Sequence, residues 1–168
     1  MKITRAVVIL LALFLYLTDM EPFAYSLSPN RKYTMQEKAP DFSLQDLQGR
    51  KFKLSENKGK PVLLAFGATW CPSCREEIPH LKEIFSNYRN KGLVMVNIDI
   101  QESQDKVSRF ADRYKLPYPV LLDEKAEVAK SYGVRGIPDL VLVDKEGMIL
   151  CSQCRSVERY LDKMFQKK

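Results

Sequence analysis

The chemistry of this chain is concentrated in Cys71 and Cys74, set three apart in Trp70-Cys71-Pro72-Ser73-Cys74. That stretch follows the apolar run Val62 to Phe66 and precedes a helical pattern beginning at Pro72, so a buried strand leads into a helix with the cysteines at the junction. Cys71 falls at the helix N-cap, where unpaired backbone N–H groups and the positive end of the helix dipole favour a thiolate. Pro72 suits the first helical turn, because its missing N–H is one the helix leaves unpaired anyway. Cys74, one turn inside, is expected within side-chain reach of Cys71 and less exposed. An exposed thiolate of lowered pKa beside a second thiol is what thiol–disulfide exchange requires: the first attacks a disulfide sulfur and the second resolves the mixed disulfide. A plain structural disulfide or half of a zinc site are the competing uses of such a pair, and the strand–Trp–Cys–Pro–helix context favours redox chemistry over both. The redox-active group is then the Cys71–Cys74 disulfide itself, with no added cofactor and no metal.

The elements that must position this pair follow from the pattern around it. The 168 residues are 45% hydrophobic, enough for one domain with a real core and too few for a second. The net charge of +6 comes from 27 Lys and Arg interleaved with 21 Asp and Glu, without a basic stripe, which argues against nucleic acid as a partner. Residues 1–26 read as an export signal or an uncleaved membrane anchor: Lys2 and Arg5 precede an uncharged run from Ala6 to Leu17, and Ala24-Tyr25-Ser26 has the small-x-small form of a cleavage site. Either option places the domain outside the cytoplasm, where disulfides persist. Residues 27–37 read as a linker and residues 38–168 as the domain, expected to be a monomer.

Within the domain, Phe42-Ser43-Leu44 and Phe52-Lys53-Leu54 alternate around Asp46 to Gly49, a hairpin signal. Ile78, Leu81, Ile84, Phe85 and Tyr88 mark one helical face after the cysteines, with Pro79 expected to kink that helix. Leu93 to Ile100 reads as a second buried strand, followed by a helix whose apolar face carries Val107, Phe110, Ala111 and Tyr114. A strand from Pro119 to Leu122 and a short helix from Glu124 to Tyr132, closed by Gly133, come next. Leu140 to Val143 and Met148 to Leu150 flank Asp144-Lys145-Glu146-Gly147 as a second hairpin, and Val157, Tyr160, Leu161 and Met164 mark a last helix. Strands alternating with helices before a closing hairpin give an α/β class with a mixed β-sheet covered on both faces.

The motifs in order are Ala39-Pro40-Asp41-Phe42, Gly59-Lys60-Pro61-Val62, Trp70 to Glu77, Pro79, and Gly133-Val134-Arg135-Gly136-Ile137-Pro138. Across about residues 38–150 the chain resembles the thioredoxin-like superfamily, and within it the exported reductases related to TlpA, ResA and the thioredoxins of cytochrome c maturation. The resemblance implies a thioredoxin-like fold with an N-terminal hairpin and an extra helix–strand unit over residues 97–116. It implies a cis Ile137–Pro138 bond facing the cysteines, with Trp70, Pro72, Ile137, Pro138 and Asp139 lining the substrate site. Proline has no N–H to occupy the edge where an extended substrate would pair with Ile137. Two positions depart from common thioredoxins. Ala65 stands where many have a buried Asp, and Asp139 stands where many have Thr, resembling the acidic residue of cytochrome c maturation thioredoxins.

With Ala65 unable to move a proton, Glu77 becomes the candidate. It lies one turn beyond Cys74 on the same helical face, and related exported reductases carry a buried Glu there; burial would raise its pKa toward neutrality. Its alternative is a solvated helix carboxylate like Glu76. His80, the only histidine, receives no role. The resemblance further implies protein disulfides as substrates, apocytochrome c among them, and a membrane thiol transporter as electron donor.

Two other function classes compete. A peroxiredoxin-like peroxidase shares the Ala-Pro-Asp-Phe opening, but needs Thr or Ser three residues before its cysteine and Pro farther back, where this chain has Ala68 and Leu64. A copper- or zinc-binding module of thioredoxin fold would need a distant His, and none follows the motif except His80. The second Cys-x-x-Cys pair, Cys151 and Cys154, is left unexplained by the resemblance. If residues 144–147 turn a hairpin, paired positions sum to about 291 or 292, which puts Cys151 opposite Leu140 or Val141 and Cys154 near Ile137 and Pro138, at the rim of the active site. In extended chain the two would be about 10 Å apart, so a disulfide requires a turn at Ser152-Gln153. A structural disulfide or idle thiols stand against a second redox pair or a shared metal site.

Overall fold

The computed structural model describes residues 37–166. The expected export signal or anchor at 1–26, and residues 27–36 of the expected linker, lie outside the described residues. Among the described residues no helix is long and apolar enough to cross a membrane.

A small hairpin comes first, β1 (Ser43–Gln45) and β2 (Lys51–Lys53), in the antiparallel register Leu44↔Phe52. Gly49 supplies the positive φ its turn needs, at 76°. The main sheet holds β3 (Val62–Gly67), β4 (Val94–Ile100), β5 (Val120–Asp123), β6 (Asp139–Val143) and β7 (Ile149–Ser152) in the order β5-β4-β3-β6-β7. β3, β4 and β5 run parallel, as strands joined through helices do, whereas β6 is antiparallel to β3 and to β7. The crossovers and the end of the chain carry α1 (Pro72–Tyr88), α2 (Gln104–Tyr114), α3 (Glu127–Ser131) and α4 (Val157–Gln166).

All six residues of β3 are buried, because the strand lies mid-sheet with a layer on each side. On one face Leu64, Phe66, Val96 and Ile98 pack with Phe42 of the hairpin segment and with Val128, Ala129 and Tyr132 at α3. On the other, Leu63, Ala65, Met95 and Leu142 pack with Leu81, Ile84 and Tyr88 of α1 and Val157 and Leu161 of α4. The mixed sheet covered on both faces agrees with the class expected from the sequence.

α1 is one element of 17 residues with Pro79 inside it. The differences are local. The short helix starts at Glu127 rather than Glu124, because Ala126 sits in the left-handed region and the buried Asp123 carboxylate accepts from the N–H groups of Val128 and Ala129. The β6–β7 hairpin contains an irregularity between Leu142 and Val143: Val143 faces Ile149, Leu142 faces Cys151 and Val141 faces Ser152. Leu150 is therefore an extra residue, and Cys151 lies opposite Leu142 instead of the expected Leu140 or Val141.

Candidate active site

β3 ends at Gly67, and the loop Ala68-Thr69-Trp70 carries the chain to the N-cap of α1. Cys71 is that N-cap, with extended backbone, and its Sγ accepts a hydrogen bond from the Cys74 N–H at 3.1 Å. Pro72 occupies the first turn. Cys71 and Cys74 form a disulfide with their Cα atoms 5.3 Å apart. Opposite them the Ile137–Pro138 bond is cis, and the Ile137 carbonyl oxygen lies 3.7 Å from Cys71 Sγ. Trp70 is the large apolar side chain left exposed here, at 62%. Cys71 itself is only 4% exposed while Cys74 is partly exposed, which reverses the expected order. The capping position turns the Cys71 sulfur inward over the helix N–H groups, and the Ile137 carbonyl covers it from the other side.

Thr69, two residues before Cys71, is fixed by the carboxylate of Glu102, which follows β4. The Thr69 N–H donates to Glu102 Oε2 at 2.5 Å and the Thr69 hydroxyl to Oε1 at 2.7 Å. The Lys106 ammonium pairs with the same carboxylate, and Arg75 of α1 donates to the Thr69 carbonyl at 3.1 Å. Burial pushes the Glu102 carboxyl up, but the hydrogen bonds from Lys106 and Thr69 outweigh it and hold it below the ordinary value. Its neighbour Asp99 on β4 is 2% exposed and goes the other way: burial first, then the charge of Glu102, push it up to about 8. Sequence reading passed over both residues. The available signal was Asn97 and Asp99 spaced two apart, on one face of an otherwise apolar strand.

Glu77 is half-buried, its side chain 30% exposed, and it accepts from His80 Nδ1 at 2.5 Å. The expected burial of Glu77 is only partial, because it sits toward the groove where His80 also reaches Glu158 of α4. That groove is lined by Glu77, His80, Pro138, Asp139, Gln153 and Cys154 among others. Asp139, 5% exposed, accepts from the Gln153 N–H at 3.0 Å; burial raises its pKa, and the backbone hydrogen bonds from Gln153 and Leu140 offset only part of the rise. Cys151 and Cys154 form a disulfide, with Gln153 at φ 55° making the turn between them. The Cys154 N–H bonds to the Leu140 carbonyl at 3.1 Å, so it stands near Leu140 and shares the groove with Pro138. Among the described residues no three His, Cys, Asp or Glu side chains group as a metal site.

Residues 35–152 match the model of the AhpC/TSA family. The chain belongs to the AhpC/TSA family. It is 37% identical over 123 residues to the thiol-disulfide oxidoreductase ResA of Bacillus cereus, 73% of this chain and 71% of that one. Among solved structures, the thioredoxin domain of a thiol-disulfide oxidoreductase from Bacteroides vulgatus superposes with a TM-score of 0.72 at 26% identity, covering 79% of this chain and 98% of that one. A secreted Mycobacterium tuberculosis disulfide oxidoreductase homologous to DsbE of Escherichia coli superposes with a TM-score of 0.59 at 26% identity, over 64% of this chain and 79% of that one. This AhpC/TSA chain is a thiol–disulfide oxidoreductase with a thioredoxin-like fold. The structure brings Cys71, Cys74, Ile137 and Pro138 together and leaves Trp70 exposed beside them, while Asp139 and Cys154 lie along the adjoining groove.

Proposed function

We propose that this thiol–disulfide oxidoreductase works outside the cytoplasm as a reductase of protein disulfides, with Cys71 as nucleophile and Cys74 as resolving thiol. The observation that carries the reading is the hydrogen bond from the Cys74 N–H to Cys71 Sγ at the N-cap of α1, which stabilises negative charge on that sulfur. In the reduced protein the Cys71 thiolate attacks a substrate disulfide, forms a mixed disulfide and expels one substrate thiolate. Cys74 then loses its proton and attacks Cys71 Sγ, which forms the Cys71–Cys74 bond and releases the second substrate thiolate. Two electrons pass to the substrate, and an external dithiol, for which a membrane thiol transporter is the candidate, restores the pair.

Trp70 and Pro72 offer an apolar rim, and Ile137 with Pro138 and Asp139 an edge for extended chain. Glu77 exchanges protons at the outer side of the site. Apocytochrome c, with its paired haem-attachment cysteines, fits as substrate; the acidic Asp139, which resembles the residue of cytochrome c maturation thioredoxins, supports that choice. The basic-then-apolar segment at 1–26 and the secreted relative support the location. Equilibration of the Cys71–Cys74 pair against a dithiol–disulfide buffer tests the direction. A potential more reducing than about −180 mV, that of protein disulfide isomerase, is expected. A potential near that of DsbA, about −120 mV, overturns the reductase reading.

A further inference from the structure

Asp99 is buried at 2% exposure, and its Oδ1 has no hydrogen-bond partner among the described residues. A carboxyl oxygen left unpaired inside a protein is costly unless the group is used. Its surroundings indicate the use. Asp99 is paired with Gly67 across the parallel β3–β4 ladder, so both residues face the same side of the sheet, the side covered by α1. Gly67 has no side chain, and a Cβ built on it would stand 3.5 Å from Cys74 Sγ and 3.9 Å from Asn97 Oδ1. Cys74 Sγ therefore lies over Gly67, the residue paired with Asp99. Cys74 and Asp99 line one narrow cavity of about 20 Å³, room for about one water to link them.

We propose that Asp99 exchanges the proton of Cys74 during the resolving step. The inference rests on Cys74 being the resolving thiol. As Cys74 attacks Cys71 Sγ in the mixed disulfide, its S–H proton passes through the cavity to the Asp99 carboxylate, the Cys71–Cys74 bond forms, and the substrate leaves as thiolate. When a donor dithiol later opens that bond, Cys74 departs as thiolate and takes the proton back from Asp99. The described state is the oxidised one, in which Asp99 holds the proton; its raised pKa agrees with that assignment. The charged and titratable groups facing Asp99 are Glu102 after β4, Lys106 of α2, Cys74 and Glu77 of α1, and Tyr118 before β5. Glu102 keeps its charge through Thr69 and Lys106 and is hydrogen-bonded to Asp99, so of the two adjacent carboxyls Asp99 is the one that carries the proton, with its Oδ1 left unpaired. Glu77 is the rival acceptor in the same cavity, partly exposed and already bonded to His80.

The test uses the full chain, reduced and then mixed with oxidised glutathione, with acid quenching to follow the mixed disulfide on Cys71. In Asp99→Asn the mixed disulfide should persist about 10²-fold longer at pH 7. Its decay should accelerate only at the higher pH where the Cys74 thiol ionises unaided, whereas Glu77→Gln, which removes the rival acceptor, should prolong the mixed disulfide far less than Asp99→Asn does. The ¹³Cγ resonance of Asp99 in the unmutated protein supplies a readout that needs no variant to fold. It should titrate near 8 in the oxidised state and shift its midpoint on reduction. An Asp99 resonance that titrates in the ordinary carboxylate range, or a mixed disulfide with unchanged lifetime and pH profile in Asp99→Asn, overturns the proposal while leaving the Cys71 reading intact. Failure of the unmutated protein to form any mixed disulfide on Cys71 overturns both.

Discussion

Thr69 and Glu102 are joined twice, through the Thr69 N–H and through its hydroxyl, across 33 positions of sequence. This contact fixes the loop between β3 and α1 to the end of β4, and with it the start of the helix that Cys71 caps. Glu102→Gln leaves one carbonyl to accept where two carboxylate oxygens did, and removes the charge facing Lys106. A loss of about 1–3 kcal/mol is expected, read as a lowered urea midpoint at unchanged slope. Because the depressed pKa of Glu102 makes this a stability present above its unfolded pKa, the difference between the two proteins should shrink as pH falls through the folded value. A variant within about 0.5 kcal/mol of the unmutated protein, the range of an inert surface change, would remove the clamp from the account.

His80 bridges Glu77 on its own helix and Glu158 on α4. Burial lowers its pKa, but the hydrogen bonds and charges of Glu158 and Glu77 more than reverse that, and the net shift is upward. A raised histidine pKa contributes stability fully present below its unfolded value of about 6.5 and lost as pH rises through the folded one. On the acid side the contribution fades as Glu158, whose pKa is depressed, takes up its proton. The His80 side chain is 37% exposed, so screening limits the effect to no more than about 1 kcal/mol. The melting temperatures of the unmutated protein and His80→Gln should therefore differ most between about pH 5 and 6.5 and converge as pH rises through the raised folded value. A difference independent of pH would mean the contribution is packing and not charge.

The Cys151–Cys154 disulfide closes a short loop at the end of β7, beside the groove that Pro138 and Asp139 line. A loop this short restrains little of the unfolded chain, and the chain-entropy relation gives about 2 kcal/mol. Replacing both residues by Ser should lower stability by that order and leave reduction of a small disulfide in place, while altering preference among protein substrates that must lie in the groove. Loss of all exchange activity in a folded double variant would make this pair part of the chemistry.

The motif-bearing part of the site was legible because each residue obeys a local rule. Cys71 caps, Pro72 fills the first turn, and the apolar run of β3 announces a strand covered on both faces. The irregularity that moves Cys151 opposite Leu142 was not legible, since an extra residue in Ile149-Leu150-Cys151 changes neither composition nor turn chemistry. Burial of Glu77 was inferred from kinship, and the His80 and Glu158 side chains that draw it toward the groove come from residues whose meeting depends on how α1 and α4 pack. Asp99 was hidden for the opposite reason. In a strand apolar at nearly every position a single carboxylate reads as incidental, and only the pairing with Gly67 shows that it faces the side on which Cys74 lies.

The most direct test of the central claim is the order in which the reduced cysteines react. The reduced protein is treated with substoichiometric iodoacetamide at mildly acid pH and the labelled peptides are quantified, with Cys74→Ser examined in parallel for mixed disulfides with a protein substrate. Modification of Cys71 well ahead of Cys74, together with trapping of the substrate on Cys71 in Cys74→Ser, is the predicted result. Modification of Cys74 first, or trapping that survives Cys71→Ser, would contradict the assignment of the helix-capping sulfur as the nucleophile.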